Sequence, residues 1–434
     1  MNRFALIQAA TASLTLMTAA AQAQAPQLLK YSASIATTGP AALATTNGTF
    51  HDPRSEYVVA ATTDTKGKLV VTAWQDTTKA LKQVGQSDLG GNKVEALAAT
   101  GLDASHIVTA DIDDQGTLYI KTWTIGGSAG IALLNTESVL NTGAPLYVEP
   151  PDLAVSATSA TQVVTALQDA NGDLSVQAWS VSDTSTAPMP MGSAWNGGPA
   201  NQVSMAVIDS ATVITAATLP FTNTLVITTL GVDSSGVHLQ DQKTLPGVVG
   251  GGLYPSVSIG AGSELVGGLI GDGLPGVTEV RSAFTPIVTA SENIEVIYWN
   301  ISSSGKISEV AHPPGNPDIY IQATAACMLP TNVPISVYFD QSAAPDSAYD
   351  VYVGWYGRSG KESEYTALPA TLHNGISSLL AVTAGTNYSA LRPYSDYDAY
   401  FITGAVTYTG TSGTETDATL QIRVWSNQVT PSLL

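Results

Sequence analysis

The sequence predicts an all-β fold built from repeats, and three observations carry that prediction. First, one segment returns nearly unchanged as Val58–Trp74, Ile107–Trp123 and Val163–Trp179. Each copy opens on Val-Thr-Ala or a near variant, turns on Asp and Gly, alternates apolar residues and closes on Trp. Second, short stretches alternate apolar and polar residues with period two and are rich in β-branched side chains, while no long stretch has helical period. Third, the Trp-ending strand recurs at intervals of roughly 50–70 residues around a common core of about 50, in the range of propeller blades. Together these predict a seven-bladed β-propeller of four-stranded blades.

In chain order, residues 1–23 read as a leader destined for removal. Met1-Asn2-Arg3 gives a positive start, Phe4–Ala20 is apolar and small, and Ala21-Gln22-Ala23 fits a small-x-small cleavage site. The apolar stretch is shorter than a spanning helix. We therefore expect an exported chain, periplasmic or extracellular, that folds as a single domain over residues 24–434. Gln27–Ile35 resembles the outer strands of later units and is expected to complete the seventh blade, closing the ring and removing exposed edges.

The Trp-ending strands then follow as Leu69–Trp74, Leu118–Trp123, Leu174–Trp179, Leu225–Leu230, Ile294–Trp299, Tyr349–Trp355 and Leu420–Trp425, with Leu230 in place of the fourth Trp. The second unit shows the four-strand layout: Val94–Ala98, His106–Ile112, Leu118–Trp123 and an outer strand near Ala132–Thr136. In the fifth unit Ile287-Val288-Thr289-Ala290 is the nearest match to the motif's opening. Gly267–Gly276 reads as a Gly-rich insertion and Ile376–Ala384 as a brief helical turn. Tyr388–Tyr400 reads as a loop rich in Tyr and Asp around Arg392.

Composition narrows the function. Sixteen basic residues face 35 acidic ones, a net charge of −19. Nucleic acid is thereby disfavoured as a partner, since backbone neutralisation needs stripes of Lys and Arg. The single cysteine, Cys327, has small apolar neighbours and reads as a buried hydrophobe. No transmembrane segment is expected beyond the leader, and the protein is expected to be a monomer.

The motif resembles a widespread bacterial repeat, V-T-A-x-x-D-x-x-G-x-L-x-L-x-x-W, found in uncharacterised exported propeller proteins. The first three units match it well, the fifth in part, and the sixth and seventh depart from it. The resemblance implies a fold and brings no activity with it.

Candidate site residues come from placing this pattern on a propeller. Inner strands begin at the mouth of a central channel, and aligning the units puts Asn92, Asp152, Asn201, Gln202, Tyr254, Asp318 and Tyr388 at those starts. Polar groups converging on a concavity form the default binding site. Asp152 and Asp318 would be general acid and base if chemistry occurs there. Trp195 lies outside the repeat in a loop-like stretch, where it either stacks on a sugar ring or fills an edge.

The repeated Trp residues read as packing between blades. The Asp-x-x-Gly segments supply turn chemistry. Asp169, Asn171 and Asp173 space three oxygens as a calcium loop does, without its ligand count or distant Glu. No cofactor is expected, and Ca2+ at those three residues is the alternative. His51, His106, His238, His312 and His373 are scattered, and no nucleophile elbow or phosphate loop is found.

Two classes of function remain. The leading one is an exported binding protein, lectin-like, that takes a carbohydrate or protein ligand through loops on one propeller face. The alternative is a polysaccharide-active enzyme, a glycosidase or lyase, with carboxylates at the channel mouth. Two carboxylates roughly 5–10 Å apart in a pocket would favour hydrolysis.

Overall fold

The computed structural model describes residues 27–37, 40–46, 57–77, 80–139, 152–181, 186–250, 257–269, 275–291, 293–312, 321–328, 334–340, 350–356, 362–367, 385–387, 397–408 and 418–429. The leader expected at residues 1–23, Tyr254, Asp318, Tyr388 and the helical turn expected at Ile376–Ala384 lie outside the described residues, and so does the side chain of Cys327. Among the described residues every regular element is a strand. No helix there is long and apolar enough to cross a membrane.

After β1 (Gln27–Thr37), the strands fall into antiparallel meanders. The first is β2 (Ala42–Thr45), β3 (Tyr57–Thr63), β4 (Leu69–Thr77) and β5 (Ala80–Asp88). The second is β6 (Val94–Gly101), β7 (His106–Asp113), β8 (Leu118–Gly126) and β9 (Gly130–Val139). The third is β10 (Leu153–Ser159), β11 (Gln162–Gln168), β12 (Asp173–Ser180) and β13 (Met189–Pro199). The fourth is β14 (Asn201–Asp209), β15 (Thr212–Leu219), β16 (Thr224–Asp233) and β17 (Gly236–Leu245). A parallel pair, Ser193 with Gly236, joins the outer strands of these last two into one eight-stranded sheet.

The fifth meander is β18 (Gly260–Leu269), β19 (Pro275–Val288), β20 (Ile294–Ile301) and β21 (Ile307–Ala311). Next come β22 (Ile321–Met328), β23 (Pro334–Asp340), β24 (Asp350–Tyr356) and β25 (Glu362–Ala367). The last sheet holds β26 (Gly385–Asn387), β27 (Tyr397–Tyr408) and β28 (Ala418–Val429), with β1 as its outer strand in the order β1-β28-β27-β26. The N-terminal strand thus pairs with the C-terminal one, as its sequence suggested.

Period-two alternation sends each strand's side chains to both faces, and on the second strands β3, β7, β11 and β15 both faces are dry. Ile107 on β7 packs with the first meander's Val59, Ala61 and Val71. Its neighbour Val108 packs the other way, with the third meander's Val155 and Val163. The core is therefore a series of layers between successive sheets, a propeller-like arrangement. One such layer joins the chain's two ends: Leu420 and Ile422 of β28 meet Val58, Ala60 and Trp74 of the first meander.

The motif's Trp residues build these layers. Trp123 packs on the first meander, Trp179 on the second and Trp299 on the fourth. Each Trp sits opposite a fixed position on the preceding strand, in pairs Ile107↔Trp123, Val163↔Trp179 and Ala283↔Trp299. Each indole N–H then donates to a buried Thr fourteen residues earlier: Trp123 to Thr109, Trp179 to Thr165 and Trp299 to Thr285, all at 2.9 Å. This bond explains the motif's central Thr. Leu230 takes the Trp position in the fourth meander, paired with Val213, and Thr215 keeps a buried hydroxyl with no partner.

Three expectations are corrected. The motif of the fifth unit opens at Phe284-Thr285-Pro286, four residues before Val288-Thr289-Ala290, because Thr285 is the residue that meets Trp299. Thr289 instead caps the following turn, its Oγ1 accepting the Asn293 N–H at 3.3 Å. Both ends of the Gly-rich stretch are strand, β18 and β19 pairing as far as Leu269↔Pro275, and residues 270–274 lie outside the described residues. Trp195 lies in strand β13 opposite Val176, and not in a loop.

Candidate functional site

One end of the meanders gathers two kinds of segment: the linkers entering the inner strands, and the turns between second and third strands. The Asp-x-x-Gly sequence builds those turns in a fixed way. Asp113 Oδ1 accepts the N–H groups of Gln115 and Thr117 at 3.0 and 2.8 Å. Asp64 does the same for Lys66 and Lys68, and Asp169 for Asn171 and Asp173. The Gly residues at 67, 116 and 172 take φ of 75°, 75° and 82°, where a Cβ is strained.

That left-handed residue also ties one sheet to the next. Gly67 O accepts the N–H of Val94, and Gly172 O that of Ala200, at 2.8 and 2.9 Å. In the fourth meander Asn223 O plays the same part toward Val249, at 3.2 Å. The repeat's Asp and Gly are joints between sheets.

The described candidates of the linker end bond within the scaffold, and one of them joins two sheets. Asn92 donates through Nδ2 to Asp113 Oδ2 at 2.7 Å. Asp152 Oδ2 accepts the backbone N–H of Val203 at 3.0 Å, linking two inner-strand starts. Asn201 offers its backbone carbonyl to the Thr218 hydroxyl at 2.9 Å. Gln202 stands beside it with φ of 50°. Asp169 already receives two turn N–H groups, and among the described residues no three His, Cys, Asp or Glu side chains are grouped to hold a metal ion. Trp195 is half-buried against the layer between the third and fourth meanders, its ring so close over Gly197 that a Cβ there would overlap it.

A polar group that the sequence did not single out lies in the second meander. Lys121 pairs with the buried Asp111 and sits over the Tyr119 ring, 4.6 Å from its centroid. Tyr119 donates in turn to Asp113 Oδ2 at 3.2 Å. Burial pushes the Asp111 carboxyl above its ordinary range, and Lys121 offsets only part of that. Asp113 moves the other way: burial raises it, but donors from Asn92, Thr117, Gln115 and Tyr119 together hold it below its usual value. Aligned by strand register, the fifth meander carries Ile287 and Ile297 where the second carries Asp111 and Lys121.

The fourth meander breaks the turn pattern. Between the paired residues Thr218 and Leu225 its turn is one residue longer than that between Ile112 and Leu118. It contains no Asp cap. Phe221 and Asn223 adopt φ of 62° and 50°, and Phe221 is fully exposed to solvent.

No family model matches the sequence, and no curated protein does either. Solved structures give only distant likeness. A protein from Lactobacillus plantarum is 13% identical, with 75% of this chain and 83% of that one aligned at a TM-score of 0.47. A periplasmic gluconolactonase from Pseudomonas aeruginosa is 12% identical over 75% and 84%, at 0.44. A fucose-specific lectin from Aleuria aurantia is 13% identical over 80% and 100%, at 0.43.

Proposed function

We propose that the protein is an exported binding protein, a seven-bladed β-propeller closed by β1, that engages a carbohydrate through the linker end of its sheets. Ring closure is supported by the pairing of β1 with β28 and by the apolar layer between the last sheet and the first. The leader at residues 1–23 supports export.

One observation carries the choice of binding over chemistry. Asp152, the carboxylate nominated for proton transfer whose side chain the structure describes, accepts the backbone N–H of Val203 and so holds one inner strand to the next. A carboxylate committed to the scaffold is a poor proton shuttle, because moving its proton loosens the joint it makes. Exposed polar groups on a rigid end remain suited to recognition.

The test is incubation of the mature chain, from Gln24, with a polysaccharide panel, with and without calcium, scoring retention and released products. Retention without product is the expected result. Released oligosaccharide would overturn the binding reading in favour of a glycosidase or lyase. Retention that appears only with calcium would call for a metal, with Asp169, Asn171 and Asp173 the first residues to substitute.

A further inference from the structure

Among the described residues, the non-glycine positions with positive φ are Gln202, Phe221 and Asn223. All three fall in the fourth meander, at its linker end. Comparable turns in the first three meanders place Gly in the left-handed position, where it is unstrained. Asn tolerates that region and Asn223 has a role there, offering its carbonyl to Val249. Phe221 has neither excuse. Its ring packs on nothing, and an aromatic residue is among the least suited to left-handed backbone. Strain held at an exposed residue points to a function outside the fold.

We propose that Phe221 is the ligand platform, stacking on the apolar face of a neutral sugar ring. This rests on the carbohydrate reading above and names its contact element. The ring offers a large flat apolar surface, open to solvent at a turn tip. The ligand is neutral because a chain of net charge −19 repels an anionic glycan.

The geometry supplies an unusual test. Phe221→Gly removes the ring and at the same time relieves the backbone, since glycine adopts a φ of 62° freely. The mature wild type, F221G, F221N and F221W are passed over insoluble cellulose, chitin, starch and β-1,3-glucan, and their thermal midpoints are measured. The expected result is retention of the wild type and F221W, an affinity for F221G weaker by at least about tenfold, and a midpoint for F221G or F221N no lower than that of the wild type. Undiminished retention of F221G would overturn this proposal and leave the carbohydrate reading standing. A lowered midpoint for F221G that persists in F221N, where the unfolded chain gains no glycine freedom, would also overturn it, by showing that the ring serves the fold. Failure of the wild type to bind any of the four would overturn both.

Discussion

The bond from a motif Trp to its Thr can be tested in opposite directions within one molecule. Thr109 and Thr285 are fully buried, and each accepts an indole N–H at 2.9 Å. Replacing either by Val keeps the shape and removes the acceptor. The Trp123 or Trp299 N–H is then stranded in a layer from which water is excluded, which costs about 1–3 kcal/mol. Thr215 occupies the same register position in the fourth meander, equally buried, but Leu230 brings no donor and its hydroxyl is unmet. Thr215→Val deletes that unmet group and adds a methyl to an apolar layer, a gain of about 1 kcal/mol.

Urea denaturation followed by Trp fluorescence reads both effects. T109V and T285V should lower the midpoint and T215V should raise it, with the slope m unchanged in all three. Shifts of the same sign at all three positions would refute the reasoning, because the substitution is chemically identical and only the partner differs.

Two further predictions concern the polar group of the second meander. Asp111→Ile alone buries Lys121 without its partner and should cost about 3–5 kcal/mol, whereas D111I/K121I copies Ile287 and Ile297 of the fifth meander and should return to within about 1 kcal/mol of wild type in the same urea assay. For Asp113, the folded carboxyl titrates below the 3.8 of an unperturbed Asp, so its stabilisation is present above the unfolded pKa and is lost as pH falls through the folded one. D113N should therefore be less stable than wild type near neutral pH, with the gap closing on acidification through the lowered folded pKa. The raised Asp111 contributes with the opposite sign, its stabilisation lost as pH rises through the folded pKa, so a D111I/K121I background should make the wild-type loss in acid steeper.

What was legible in the sequence follows its periodicity. Strand positions, the Trp layers and the outer-strand role of β1 are each written as a pattern that recurs, and recurrence averages out local accident. Purpose within the pattern was harder to read. Asn92 looked like a ligand group because inner-strand starts were aligned, but which polar side chain meets which depends on register across a turn, and Asn92 turned out to meet Asp113. In the fifth unit Thr289 mimicked the motif's Thr in its immediate neighbours alone, whereas the pairing Ala283↔Trp299 selects Thr285. Phe221 carried a signal that was not used: the fourth unit has neither the Trp nor the Asp-x-x-Gly turn, and a repeat that fails twice in one copy marks where the copy differs in task.

That double failure also accounts for Trp195. Leu230 leaves the layer between the third and fourth meanders without its motif indole, and Trp195 from β13 packs against that same layer. One large side chain has been exchanged for another arriving from the neighbouring sheet, which keeps the volume of a close-packed interior roughly constant. The exchange predicts coupling. Trp195→Ala alone should cost about 2 kcal/mol, less than a fully buried Trp because the ring is half-exposed. Leu230→Trp alone should overpack the layer and cost about 1–3 kcal/mol. The double variant W195A/L230W restores one indole to the motif position and gives Thr215 the donor it lacks, so its cost should fall below the sum of the two by about 1 kcal/mol or more. Strict additivity in the urea midpoints would show that Trp195 and Leu230 do not share that space, and would return Trp195 to the list of candidate ligand contacts.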